Sequence, residues 1–155
     1  MIALLQRVSE ASVIVKDRDD ERQAGQIDRG LLALVAVERG DTENQADRLL
    51  ERMLALRVFD DDQGRMNLDL RQIGGGLLLV SQFTLAADTR RGNRPGFDRA
   101  APPDDARKLY AYLLSTARLA WTPCAAGEFG AHMMVRLVND GPVTFRLRVP
   151  PPDSA

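Results

Sequence analysis

Two short polar segments carry most of the chemistry that this sequence offers. The first, Ser81–Leu85 (Ser-Gln-Phe-Thr-Leu), follows the apolar run Leu77–Val80, and the second, Asn139–Thr144 (Asn-Asp-Gly-Pro-Val-Thr), begins 58 residues after Ser81. A strand end has no packing reason to carry three polar side chains in four positions. A capped strand end and a hairpin turn would explain each segment singly. The conjunction of the two favours a functional site built from hydroxyl, amide and backbone groups.

The usual catalytic groups are scarce. His132 is the only histidine and Cys124 the only cysteine, so a Ser-His-Asp triad, a Cys-His pair and a zinc site all lack material. The acidic run Asp60–Asp62 lacks the alternating ligands of a calcium loop. Gly74–Gly76 precedes a strand, whereas a phosphate-binding loop follows a strand and opens a helix. We expect no metal, no cofactor and no catalytic role for His132.

Strands and two helices must position the two segments. β-Branched residues and loose alternation predict a strand over Ile2–Lys16, and the apolar run Leu31–Val37 predicts another. Thr42 with Gln45 forms a capping-box pattern at the start of one helix, and Asp104 is a good N-cap for a second. Three further strands are predicted near the end of the chain, over 124–128, 132–139 and 143–149.

This order predicts one mixed α/β domain over residues 1–149, with β-sheets and two main helices packed in layers. A chain of 155 residues can bury a core without disulfides or metals. Its content of 45% hydrophobic and 28% charged residues is typical of a soluble globular protein. The single cysteine fits a reducing cytoplasm. Prolines end the last strand, and we predict residues 150–155 to be a disordered tail.

Positive charge is concentrated in one stretch of an otherwise balanced chain. The net charge is −1, yet four arginines fall within ten residues that hold a single acid, Asp98. They are Arg90, Arg91, Arg94 and Arg99. The planar guanidinium group makes bidentate contacts with phosphate, so the cluster predicts a nucleic-acid contact. A GC-rich genome would also favour arginine over lysine, and only the local clustering therefore carries the prediction.

Both polar segments resemble the signature motifs of the D-aminoacyl-tRNA deacylases, and the resemblance covers nearly the whole chain. Ser81–Asp88 and Asn139–Thr144 are the most specific matches, and Gly141-Pro142 resembles the family's Gly-cisPro element. The remaining matches are Met1–Val8, Ala11–Val13, Gly64–Asn67 and Arg94–Phe97. The chain departs from the pattern in a longer hairpin tip around 17–23, an added tail and a glycine at position 96, where serine is common.

The resemblance implies a cytoplasmic homodimeric hydrolase that proofreads translation by cleaving the ester bond of D-aminoacyl-tRNA. Its active site would lie at the subunit interface, where Gly141-Pro142 of one chain enters the pocket of the other and rejects L-aminoacyl groups. Because glycine has no Cβ, glycyl-tRNA would be hydrolysed as well. The implied catalytic residues are Ser81, Gln82, Phe83 and Thr84. The implied substrate-binding residues are Asn139, Gly141, Pro142, Val143 and Thr144, and the four arginines would bind tRNA.

Two alternatives stay open at this level. Either the ribose 2′-OH of the substrate positions the attacking water, or Thr84 is the nucleophile, and we favour the first because no base is predicted beside Thr84. A non-catalytic RNA-binding or interaction module would also explain the arginines and the missing triad. It would not explain the paired segments, and an aromatic content of 5% leaves few side chains to stack on bases.

Overall fold

The computed structural model describes residues 1–90 and 92–152. Within these ranges, eight strands, three helices and one 3₁₀ turn form one mixed α/β domain, so the predicted fold class is confirmed. The strands are β1 Ile2–Lys16, β2 Glu21–Ile27, β3 Gly30–Ala36, β4 Phe59–Asp60, β5 Met66–Leu68, β6 Gly76–Ser81, β7 Cys124–Ala126 and β8 Met133–Arg148. The helices are α1 Glu43–Ala55, α2 Leu70–Ile73 and α3 Pro103–Ala120, and the 3₁₀ turn is Phe83–Ala86.

The long strand β1 organises the main sheet. Its first half pairs with β3, its second half pairs with β2, and β8 runs antiparallel along its other edge. β3, β6 and β7 continue the sheet in parallel. At the far ends, a Cβ on Gly25 of β2 would lie only 2.6 Å from the carbonyl oxygen of Ala126 in β7. The two ends of the sheet therefore touch, and the sheet is nearly closed.

Helix α1 begins where its capping pattern predicts. The backbone N–H and the hydroxyl of Thr42 both donate to Gln45 Oε1, at 3.0 and 2.7 Å, and so satisfy the chain just before the first turn. The apolar residues of α1 recur at helical spacing and are all buried. They are Ala46, Leu49, Leu50, Met53 and Leu54.

Helix α3 begins two residues earlier than an N-cap at Asp104 predicts. The N-cap is Pro102, and the helix starts at Pro103, so the prediction of Asp104 as N-cap is wrong. Proline is favoured at the first helical position, because its fixed φ suits the helix and its missing N–H has no partner there anyway. Asp104 and Asp105 lie in the first turn, where carboxylates stabilise the positive end of the helix dipole. The buried Tyr110 hydroxyl donates to Leu79 O at 3.0 Å and fastens α3 to β6.

Alternation along β3 and β6 divides the core in two. One set of side chains faces α1 and α3 and forms the larger cluster: Leu31, Ala33, Val35, Leu77 and Leu79. The other set faces the second half of β1 and the start of β8: Leu32, Leu78 and Val80. Burying each of these aliphatic side chains contributes about 1.5–3 kcal/mol. Because both of its faces are covered, β6 is a continuous apolar strand. Its packing fixes the position of the polar segment that begins at Ser81.

The end of the chain differs from the prediction of two strands joined by a hairpin turn. Residues 133–148 form the single strand β8, which pairs with β1 both before and after Gly141-Pro142. Thr144 pairs with Gln6 and Asn139 pairs with Val8, so residues 140–143 of β8 lie opposite Arg7 alone. We call residues 140–143 the Gly-Pro bulge. The hairpin prediction fails because the partner of both halves is β1, which a local pattern does not reveal.

Beyond β8, the chain stays in contact with the domain for several residues. The Val149 N–H donates to Met1 O at 2.9 Å, and Pro151 is buried. Disorder was predicted for residues 150–155, of which 153–155 lie outside the described residues. Among the helices of the described ranges, none is long and apolar enough to cross a membrane.

Candidate active site

A cavity of about 490 Å³ opens at the carboxyl end of β6. Its walls come from the end of β6, the start of α3, the loop before β8 and the first residues of β8. The lining side chains are mostly apolar and include Val80, Ser81, Gln82, Phe83, Ala106, Phe129, His132, Met133 and Val135. A concave, largely apolar space with a few convergent polar groups is typical of a small-ligand site.

The segment Ser81–Thr84, which we call the β6 tip, forms one wall of this cavity. The Gln82 N–H donates to Val35 O at 2.7 Å and is the last bond between β6 and β3. The chain then enters the 3₁₀ turn at Phe83. The first N–H groups of such a turn have no partner inside it. Within the described residues, the N–H groups of Phe83 and Thr84 donate to no acceptor, so both remain available to a ligand.

Three of the four predicted catalytic residues line the cavity, and Thr84 does not. The Thr84 side chain is exposed, and its hydroxyl oxygen accepts a hydrogen bond from Gln82 Nε2 at 2.5 Å. Across the described part of the chain, no basic side chain hydrogen-bonds to this hydroxyl. The arrangement therefore lacks the base that would activate a threonine nucleophile.

The Gly-Pro bulge is the second predicted element of the site. Its Gly141-Pro142 peptide bond is cis, as the family resemblance implied. A Cβ at position 141 would lie 2.4 Å from Val143 N and 2.6 Å from Val143 Cγ2, so only glycine fits there. Gly141 and Pro142 are both exposed, and neither lines the cavity of the same chain.

Asn139 and Arg7 hold the bulge in place. Asn139 Nδ2 donates to Arg7 O at 2.9 Å and to Val143 O at 3.0 Å, and so bridges the base of the bulge. Arg7 Nε donates to Asp140 O at 2.8 Å, and Arg7 Nη1 donates to Val58 O at 2.8 Å. Hydrogen bonds from a charged donor stabilise more than neutral ones. The bulge is thus a fixed projection of the sheet.

Sequence reasoning missed Arg7. The residue is only 9% exposed, and its guanidinium lies 3.4 Å from Asp60 Oδ1 and 3.6 Å from Asp140 Oδ2. The available signal was the alternation of the strand, which places Arg7 on the same face as Ala3 and Leu5, since arginine is seldom buried without partners. Its partners lie 51 to 133 residues away in the sequence, which no local pattern connects.

The arginine cluster lies on the loop between the 3₁₀ turn and α3. Arg90 forms two hydrogen bonds of 2.9 and 2.6 Å with Asp88, and these hold the pKa of the Asp88 carboxyl well below its usual range. Arg94 and Arg99 are exposed, and neither has a carboxylate partner among the described residues. Arg91 lies outside the described residues. The described part of the cluster therefore contains one arginine in an ion pair, Arg90, and two without one, Arg94 and Arg99, of which Arg99 also acts on Asp88 at longer range.

The only histidine and the only cysteine of the sequence were also weighed as site residues. His132 lines the cavity and is exposed, although within the described ranges it hydrogen-bonds to no nucleophile or carboxylate. Cys124 is half-buried, and burial raises the pKa of its thiol. Among the described residues, no three His, Cys, Asp or Glu side chains are grouped to hold a metal ion.

The family model described as D-Tyr-tRNA(Tyr) deacylase matches residues 4–148. The chain belongs to this family. Curated relatives named D-aminoacyl-tRNA deacylase match this chain along almost their whole length. It is 62% identical to the D-aminoacyl-tRNA deacylase of Thioalkalivibrio sulfidiphilus, with 98% of this chain and 99% of that protein covered. It is 58% identical to the D-aminoacyl-tRNA deacylase of Cupriavidus pinatubonensis, with both chains covered completely.

Solved structures give the same fold. The protein named c-Myc DNA Unwinding Element Binding Protein superposes with a TM-score of 0.89 at 36% identity and covers 97% of this chain and 99% of its own. A probable eukaryotic D-amino acid tRNA deacylase superposes with a TM-score of 0.76 over 94% of this chain and 98% of its own, at 17% identity. The resemblance found in the sequence is confirmed, and so is the assignment to hydrolases over a non-catalytic module.

Proposed function

We propose that this protein hydrolyses the ester bond of D-aminoacyl-tRNA and releases the D-amino acid and the tRNA. The observation that carries the proposal is the pair of unsatisfied backbone N–H groups at Phe83 and Thr84, beside a cavity of about 490 Å³ in a chain of the deacylase family. Removing D-amino acids from tRNA is a proofreading step in cytoplasmic translation. The ester is an activated bond, so its hydrolysis needs less help than that of an amide.

The apolar cavity suits the terminal adenosine of tRNA. Phe83 and Phe129 both line it, and aromatic rings favour stacking or edge contacts with a base. Phe129 is held in place by its neighbours, since the guanidinium of Arg107 lies 4.8 Å from its ring centroid and the centroid of the Tyr110 ring lies 5.7 Å away. An adenosine bound here would bring its 3′-ester towards the β6 tip.

The proposed reaction needs a water molecule and hydrogen-bond donors. Water adds to the ester carbonyl carbon, and the oxyanion accepts hydrogen bonds from the N–H groups of Phe83 and Thr84. The bond between carbon and the ribose O3′ then breaks, and a proton passes to O3′. The adjacent ribose 2′-OH positions the water. One donor of this kind contributes about 10²–10³ in rate.

A second subunit completes the proposed site. β8 is an edge strand, and large apolar side chains on it are exposed: Met134 at 39%, Val138 at 49% and Phe145 at 40%. Exposed apolar side chains in a row support burial against another protein surface. A homodimer formed through β8 would let the Gly-Pro bulge of one protomer reach the β6 tip of its partner, with Asn139 and Thr144 at the edges of the bulge.

The projecting bulge is the proposed chirality filter. In this arrangement Gly141 and Pro142 occupy the space into which the Cβ of an L-aminoacyl group would point, while the opposite direction stays open. Rejection is then steric, and no pocket for the D side chain is needed. Because glycine has no Cβ, the filter admits glycyl-tRNA.

Two variants of one residue test the proposed oxyanion contact. Phe83→Ala and Phe83→Pro both remove the ring, but only proline removes the N–H. Gln82 has φ −146° and ψ 75°, which falls short of the ψ of about +120 to +160° favoured before proline, so the rates are compared only if the two variants have the same circular dichroism and melting temperature. We expect hydrolysis of D-tyrosyl-tRNA to be about 10²–10³ slower in Phe83→Pro than in Phe83→Ala. Equal rates would remove the Phe83 N–H from the mechanism, and a wild-type protein that spares D-tyrosyl-tRNA would refute the proposed activity.

The exposed arginines are the proposed contact with the tRNA backbone. Arg94 and Arg99 are free to bind phosphate, whereas Arg90 is already engaged by Asp88. We expect Arg94→Ser and Arg99→Ser each to lower the log–log slope of tRNA affinity against salt by about 0.9. Arg90→Ser should have a smaller effect, and Arg118→Ser, at the far end of α3, serves as the control. Unchanged slopes in Arg94→Ser and Arg99→Ser would show that these side chains contact no phosphate.

A further inference from the structure

Two exposed phenylalanine rings lie side by side at the mouth of the cavity. Phe83 is 57% exposed and Phe97 is 40% exposed, and their ring centroids are 5.0 Å apart with planes inclined at 56°. The chain holds only five phenylalanines, and large aromatic side chains are normally mostly buried. Phe83 also lines the cavity, so the pair continues its wall outward.

The loop that carries Phe97 is fixed by backbone hydrogen bonds. The N–H groups of Asp88 and Gly96 each donate to the carbonyl of the other, at 2.7 and 2.9 Å. Beyond Phe97, the Ala100 N–H donates to Phe97 O at 3.0 Å, and the Arg39 N–H donates to Arg99 O at 2.9 Å. The second ring is therefore presented on a closed loop, and a ligand would not have to order it.

Three arginines lie near Phe97 in the chain or are bonded to its neighbour, and Asp98 is the acidic residue beside it. In the part of the chain that the structure describes, neither Arg94 nor Arg99 forms an ion pair within 4 Å, although Arg99 lies close enough to Asp88 to contribute to lowering the pKa of its carboxyl. Arg39 donates through Nε to the neutral carbonyl of Asp98, at 2.7 Å, so its charge is not compensated there. Stacking surfaces flanked by cations are how proteins hold single-stranded nucleic acid.

We propose that Phe83 and Phe97 form a stacking platform for the unpaired nucleotide that precedes the terminal adenosine of tRNA. The proposal rests on the proposed function, because it assumes that the adenosine occupies the cavity beyond Phe83. The preceding base then stacks on Phe97, and its phosphates face Arg39 and Arg99. In the proposed homodimer the partner's Gly-Pro bulge approaches the β6 tip, so Phe97 is the ring left open to the preceding base. A second copy seated on Phe97 itself suits the surface less well, because a twofold axis at that point would place these cations against one another.

Two substrates of different length separate the platform from the catalytic site. D-Tyrosyl-tRNA carries the preceding nucleotide, and 2′(3′)-O-(D-tyrosyl)adenosine lacks it. We expect Phe97→Ala to lower the ratio of kcat/KM for the long substrate to that for the short one by about 5–150-fold. Phe97→Trp should restore the ratio. Leu119→Ala is the control, because Leu119 is 91% exposed and lies about 20 Å along α3 from Ala106, the nearest residue of that helix that lines the cavity.

Measuring the binding of single-stranded RNA tests the platform independently of hydrolysis. Fluorescence anisotropy of a labelled single-stranded RNA ending in C-C-A should report weaker binding to Phe97→Ala than to the wild type or to Leu119→Ala. If the wild type hydrolyses neither ester, the proposed function fails while this measurement still tests the platform.

Three results would overturn the platform. The first is equal binding of the RNA by Phe97→Ala and the wild type. The second is an equal loss on both esters, which would mean that Phe97 only shapes the cavity. The third is a Phe97→Ala variant whose oligomeric state changes in sedimentation while its ratio of kcat/KM for the long and short substrates does not. That result would assign the rings to a subunit interface.

Discussion

The β6 tip and the Gly-Pro bulge are both short polar segments, yet they are built in opposite ways. The tip follows a buried parallel strand, and its two free N–H groups arise from the local start of a 3₁₀ turn. The bulge interrupts a pairing between β1 and β8, and its position depends on Arg7 and on contacts with Val58 and Asp60 that are distant in sequence.

Because of this difference, the two regions depend on different contacts to keep their positions. Backbone donors at the tip are in place as soon as β6 is in the sheet, so side-chain changes there leave the donors intact. The bulge needs its long-range supports to keep one position. We therefore expect changes in or around the bulge to alter substrate selection, and side-chain changes at the tip to alter the rate only modestly.

The sharpest test of the bulge as a steric filter uses substrates that differ by one methyl group. We expect glycyl-tRNA and D-alanyl-tRNA to be hydrolysed and L-alanyl-tRNA to be spared by more than about 200-fold, which exceeds what an attractive pocket achieves for one methylene. Side-by-side deacylation rates measure this ratio. If glycyl-tRNA resists as strongly as L-alanyl-tRNA, the enzyme reads the D side chain directly and the filter is not steric.

Replacing Arg7 tests whether the position of the Gly-Pro bulge depends on this side chain. Arg7→Ala removes the charged donors to Val58 O and Asp140 O, and a displacement of about 1 Å near a reacting group costs about 100-fold in rate. We expect about that loss of kcat/KM on D-tyrosyl-tRNA, together with a lower preference for D over L. The free energy of unfolding should fall by about 2–3 kcal/mol, measured by urea titration.

Arg146→Ala is the matched control for Arg7→Ala. Arg146 is an exposed arginine on β8, beyond the bulge, and its removal should change neither the D/L preference nor the stability appreciably. A wild-type preference in Arg7→Ala would mean that the bulge holds its position without this support.

The smallest effect is expected at the tip. Thr84→Ala removes the hydroxyl but keeps the backbone N–H, so activity on D-tyrosyl-tRNA should stay within about 10-fold of the wild type. Single-turnover rates measure this, and mass spectrometry of quenched reactions checks for an acyl group on Thr84. A trapped acyl-enzyme, or a loss near a million-fold, would make Thr84 the nucleophile and reverse the contrast between the two regions.

Local patterns predicted much of the fold. The capping box of Thr42 and Gln45, the apolar face of α1 and the buried run of β6 were each readable within a few residues, and the structure confirms them. The predicted hairpin at Gly141-Pro142 failed although its residues were singled out correctly. Turn-forming residues also fit a bulge, and only the pairing partner distinguishes the two.

The sequence by itself determined which residues could carry a site, because residue type and the periods of strands and helices are local properties. It also determined the family, through two segments whose order and spacing are specific. The tertiary structure alone decided that Thr84 lies outside the cavity, that Arg7 supports the bulge and that Phe97 lies beside Phe83. These facts depend on strand register and on the folding of distant segments against one core, which the whole chain settles together.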